Sequence, residues 1–154
     1  MKEHTDVLLL RKENNMDKNV IIEHLYNDSN AQAVAFVKSL EDEEALFIYA
    51  SEYNWDNGFD VPQAILQNEN CSLSIALLLF HSADGALYLE DRSSAEGTKR
   101  WLSFVSALYK RIIKGEFPKG KIPFNPQLSR VQMYKLKKNL SEKEMVFITP
   151  YGDK

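Results

Sequence analysis

A chain of 154 residues, 44% hydrophobic and 27% charged with a net charge of −3, is long enough to bury roughly 68–70% of the surface its unfolded form exposes. Its single cysteine, Cys71, excludes an intrachain disulfide. The longest apolar run, Ile75–Phe80, falls far short of the ~20 residues that cross a bilayer.

In MKEHTDVLLLRKENN the apolar run Val7–Leu10 is short and flanked by charges, so no export signal is expected there. The expectation is one cytoplasmic domain over 1–154, with 1–16 a flexible N-terminal extension. Helical spacing of apolar residues recurs through most of the chain, and no long alternating stretch is present. This reads as an all-α protein of about six to seven helices, with HEAT-like stacked helix pairs as the alternative to a compact bundle.

Asp17 or Asn19 caps a first helix carrying Val20, Ile21, Ile22, Leu25 and Tyr26. Ser29 and Gln32 form a capping-box pattern before a second helix with Ala33, Val34, Val37 and Leu40. A third runs from about Glu43 to Tyr53 and buries Ala45, Leu46, Ile48, Tyr49, Ala50 and Tyr53. The fourth runs from near Val61 to near Asn68, capped by Asp60 with Gln63 completing the box. Leu73–Ala83 is apolar on nearly every side, as a helix surrounded by others would be.

ADGALYLED carries a glycine stop and reads as a short extended segment. Ser93 and Glu96 make another capping-box pattern before a long helix with Trp101, Phe104, Val105, Leu108 and Ile112, which Gly115 stops. Residues 116–126 hold three prolines and form a connector. Asn125 and Pro126 open a last helix through Val131, Met133, Leu136 and Leu140, and MVFITPYGDK is a short extended C-terminal tail.

Charge is unevenly distributed. Residues 1–40 carry −1, residues 41–91 carry −11 with no Lys or Arg, and residues 92–154 carry +9. Either the two halves face one another, or an exposed acidic surface steers a basic partner.

The stretch EYNWDNGFDVPQ reads first as a corner between helices. Asn57-Gly58 is a turn signal, Asp60 a cap, Phe59 a staple and Pro62 a first-turn residue. Trp55 suits a plug under the turn, and Asp56 suits an Asx-turn onto Gly58. The run from Tyr53 to Gly85, which holds Tyr53, Asn54, Trp55, Asp56, Gly58, Phe59, Pro62, Ile65, Asn68, Cys71, Leu73, Ala76, Leu77, Phe80, Ala83, Asp84 and Gly85, resembles a bacterial family, a domain of unknown function. The resemblance covers about a fifth of the chain and implies a shared helix-corner-helix-helix unit. It implies no activity.

Chemistry is sparsely signalled. His4, His24 and His81 show no HExxH or CxxC pattern, so neither a metal site nor a cofactor is expected. Cys71 and His81 stand ten residues apart, too far along one helix for a nucleophile and its base. His81, Asp84, Glu90 and Asp91 are the residues a carboxylate-based hydrolase would use. Lys110, Arg111, Lys114, Lys119, Lys121, Lys135, Lys137 and Lys138 could meet phosphates, but the acidic middle would repel a nucleic acid.

The expected function is therefore non-catalytic binding of a basic protein through an acidic surface, in the manner of an immunity protein or antitoxin. The candidate contact residues are Trp55, Asp56, Asp84, Glu90 and Asp91. Asn54, Asn57, Gly58, Phe59, Asp60, Pro62, Cys71 and Phe80 are assigned to the structural motif.

Overall fold

The structure is a computed structural model that describes residues 17–93 and 97–152. The expected extension over 1–16, and Glu96 of the expected capping box, lie outside the described residues. Among those described, eight α-helices and two 3-10 turns account for the regular structure, and no helix is long and apolar enough to cross a membrane. The chain is all-α, with more helices than the spacing indicated, and divides into two units between Cys71 and Ser72.

The first unit holds α1 (Lys18–Asn27), α2 (Asn30–Ser39), α3 (Glu43–Glu52), a 3-10 turn (Trp55–Asn57) and α4 (Asp60–Gln67). Local chemistry sets three of the helix starts. Asp17 accepts the Asn19 amide, Ser29 and Gln32 complete a reciprocal box, and Asp42 accepts the Glu44 amide. Helix α1 packs on α3 and α2 on α4, closing a core of Ile21, Val37, Leu46, Tyr49, Val61 and Ile65, each no more than 2% exposed. Truncating Leu46 or Ile65 to Ala would cost about 2–5 kcal/mol.

Helix α4 departs from the sequence reading. Asp60 is its first residue and not its cap, and Phe59 occupies the cap position with no side-chain capping bond. The Asp60 carboxylate is drawn instead to Asn30, which donates to it at 3.2 Å from thirty residues away. Pro62 stays within the first turn, where its missing N–H has no helical partner to lose.

The second unit holds α5 (Leu73–Ser82), α6 (Gly85–Glu90), α7 (Lys99–Ile113), α8 (Arg130–Asn139) and a 3-10 turn (Lys143–Phe147). Helix α5 packs on α6 and α7 and buries seven of its ten residues. One of its orphan amides, that of Leu73, donates to the Pro118 carbonyl at 2.7 Å. In α7 the apolar stripe Phe104, Val105, Leu108 and Ile112 is buried. Gly115 at φ +73 closes it, with Glu116 N–H bonded back to the Arg111 carbonyl.

Three expectations fail in this unit. ADGALYLED is helical rather than extended over Gly85–Glu90: the left-handed residue that ends α5 is Asp84, at φ +60, while Gly85 is buried where a Cβ would stand 2.3 Å from the Phe80 ring. Thr98, not Ser93, caps α7, and the Ser93 amide and hydroxyl are occupied by Asp91. Asn125 and Pro126 remain in the connector, and Ser129 with Gln132 opens α8 by a full capping box. The tail is in part helical (Lys143–Phe147), followed by a single antiparallel bridge between Tyr151 and Phe124.

Candidate functional site

The corner after α3 is built by short-range bonds. Tyr53, buried as the C-cap of α3, donates its hydroxyl to the Gly58 carbonyl at 2.7 Å. Asn54 Oδ1 accepts the Asp56 amide at 3.0 Å, so the Asx-turn belongs to Asn54 and not to Asp56. Gly58 N–H goes to the Trp55 carbonyl, and its φ of +94 is a conformation that side chains rarely adopt. Trp55 is half-buried, set edge-on to the rings of Tyr53 and Phe59, at 5.4 and 6.1 Å between centroids. Asp56 and Asn57 are exposed.

Next to this corner lies a cleft of about 430 Å³ within the first unit. Tyr49 and Tyr53 line it together with the amides Asn30, Asn54 and Asn57, and Asp28 and Glu52 contribute carboxylates. Tyr26, 82% exposed, stands among the lining residues too. Asp28 accepts His24 Nδ1 at 2.8 Å, and the His24 ring stacks on Phe36 at 3.8 Å. Burial and the nearby Asp28 carboxylate push the Tyr49 phenol up to about 12; burial, then Tyr49 and Asp60, do the same for Tyr53. Both phenols are neutral at physiological pH. Among the described residues, no Lys or Arg lines the cleft.

Beneath the corner, Asn68 is a tie between helices. Its Nδ2 donates to the carbonyls of Val37 and Leu40 at 2.9 and 2.8 Å, while its Oδ1 accepts the Asn70 amide. The end of α2 is thereby satisfied by a side chain thirty residues on. Cys71, two residues beyond Glu69, is buried at the end of this turn.

The remaining sequence candidates belong to the second unit. Asp84, Glu90 and Asp91 are exposed, and Phe80 is fully buried against Phe147 at 4.6 Å between centroids. His81 Nε2 donates to the Phe147 carbonyl at 2.7 Å, and its ring stacks near Phe124. Burial lowers its pKa, so the ring is neutral, with a buried Nδ1 that no described residue bonds. Asp84 meets His81 only through the backbone, its N–H donating to the His81 carbonyl at 3.0 Å, and no side-chain hydrogen bond or ion pair among the described residues joins His81 to Asp84, Glu90 or Asp91. No group of three metal-ligating side chains occurs among them either.

A second polar cluster of this unit is structural. Glu144 accepts from Arg92 at 2.6 Å and from the Tyr109 hydroxyl at 2.5 Å, and Arg92 lies over the Tyr88 and Tyr109 rings. Burial pushes the Glu144 carboxyl up, but the bonds from Tyr109, the Ser141 amide and Arg92 outweigh it and hold it at about 2.

The charge asymmetry follows the division into units. Described residues 17–71 hold eleven Asp/Glu against two Lys/Arg; described residues of 72–152 hold six against thirteen. Eight of the eleven carboxylates in the first unit are exposed.

Sequence reasoning missed Asp28, Tyr49 and Glu52 as cleft residues. The available signal was the spacing of Tyr49 and Tyr53, one helical turn apart on an inner face, each with a hydroxyl that burial obliges to find a partner.

Residues 41–113 match the family model for a domain of unknown function (DUF4274), a range that contains Tyr53–Gly85 and spans the division between the units. No curated protein and no solved structure matches the chain.

Proposed function

We propose that this chain is a non-catalytic binding protein that engages a basic macromolecule through the acidic unit formed by residues 17–71. The observation that carries the reading is the charge of that unit, with eight exposed carboxylates and only Lys18 and Lys38 of opposite sign. A field of one sign over a small surface raises the encounter rate with an oppositely charged partner and rejects acidic ones. A small acidic binder of this kind acts as an immunity protein or antitoxin does, by covering the working surface of a basic domain.

The test is affinity capture from the native host's lysate at low and high salt, with the wild-type chain and a variant carrying Glu41→Gln, Glu44→Gln and Asp60→Asn. The expected result is a basic protein retained at low salt, released at high salt and lost by the variant. A partner held equally by both chains at both salt levels would refute the reading.

A further inference from the structure

An acidic surface needs no concavity to attract a basic partner, yet the first unit has a cleft of a size typical of side-chain and small-ligand sites, about 300–1,000 Å³. We propose that this cleft, lined by Asp28, Tyr49, Glu52 and Tyr26, is a recognition pocket for an arginine side chain of the partner. The inference rests on the binding function proposed above and names the group that the site would take.

The first argument is a hydroxyl that opens on the cleft. Tyr49 is 2% exposed and lines the cleft, and no described residue bonds its hydroxyl. Among the described residues only His81 Nδ1 is a buried polar atom without a partner, so what little of Tyr49 is exposed includes its hydroxyl, and a bound group can meet it there. Open space beside it is where that group would arrive.

The second argument is the balance of donors and acceptors. Glu52 is exposed and makes no hydrogen bond or ion pair with a described residue, and Asp28 has one oxygen on His24 and a second to offer. One Asn30 N–H goes to Asp60, and the Asn54 amide oxygen is held by the Asp56 amide. The cleft carries two carboxylates, and among the described residues no Lys or Arg lines it.

The third argument separates arginine from lysine. Acceptors from α3 and from the end of α1 can be spanned by the five N–H groups of a planar guanidinium, whereas an ammonium is a point charge with three donors. Tyr26, 82% exposed, offers a flat ring for such a plane to stack on.

The experiment is a two-dimensional NMR titration of the full chain with acetyl-arginine-amide, against its isosteric neutral citrulline analogue and the lysine analogue. The expected result is movement of the amide signals around Asp28, Tyr49 and Asn54 by the arginine probe. Binding should be weaker by roughly an order of magnitude for citrulline, and likewise for the arginine probe against Asp28→Asn or Tyr49→Phe. Glu52→Gln is a second variant on an exposed helix position; it should weaken the arginine probe while the free protein keeps the dispersed spectrum of the folded chain.

Equal binding of arginine and citrulline, or signals that move at scattered carboxylates and are indifferent to Glu52→Gln, would overturn the pocket. If that happens while salt-sensitive capture of a basic partner persists, the pocket alone is wrong. If capture fails as well, both readings fall.

Discussion

The hydroxyl of Tyr53 donates to the carbonyl of Gly58 across five residues of its own chain, and the bond closes the corner that carries Trp55 and Asp56. Tyr53→Phe keeps the ring but leaves that carbonyl without its partner, and should cost about 1 kcal/mol in urea unfolding. Gly58→Ala meets no atom within 4 Å, so its effect comes from backbone conformation alone, at φ +94. A loss of about 1–2 kcal/mol is expected. If Gly58→Ala were neutral, the corner would not be held in this geometry.

Asn68 to the Leu40 carbonyl is the long-range counterpart of that bond. Asn68→Ala strips two partly buried carbonyls of one donor and frees the Asn70 amide, so a loss of about 2–3 kcal/mol is expected. Chemical denaturation checks it, and Asn68→Asp, which keeps the acceptor and removes the donor, should fall nearly as far.

Glu144 makes the second unit sensitive to acid. Its folded pKa of about 2 lies below the ordinary 4.5, so its contribution is complete above about pH 5 and is lost as pH falls toward 2. Glu144→Gln should remove that part of the pH dependence and cost about 1–2 kcal/mol at neutral pH. This is less than the full shift would carry, because Arg92 is 39% exposed and screened by solvent. Unfolding midpoints measured between about pH 7 and 3 separate the two chains.

His81 acts in a higher window. Its pKa is lowered by burial, so the unfolded state binds the proton more readily, and stability falls as pH drops below the ordinary value of about 6.5. Wild type should lose more stability between about pH 7 and 5 than His81→Gln, which has no ring to protonate. Equal slopes for the two chains would mean that the ring is accessible to water.

Much of this was legible in the sequence because much of it is local. Capping by Asp17 and by Ser29 with Gln32, and termination at Gly115, depend on residues within one turn of each other. The apolar stripe of α7 was likewise legible from helical spacing alone. Misreadings arose where two local signals competed and a distant residue chose between them. Asp60 had a cap to offer, but Asn30 took its carboxylate; Gly85 read as a stop, but its lack of a Cβ serves the Phe80 ring, and Asp84 makes the turn.

By itself, the sequence determined an all-helical chain, the places where most helices begin and end, and a sharp reversal of charge. All are properties of neighbouring residues or of composition. Only the tertiary structure decided where the acidic stretch divides, with Asp84, Glu90 and Asp91 falling in the second unit, and that Asp28, Tyr49 and Glu52, drawn from α3 and the end of α1, share one cleft. Packing brings together side chains that stand more than twenty residues apart, and no local periodicity records that meeting.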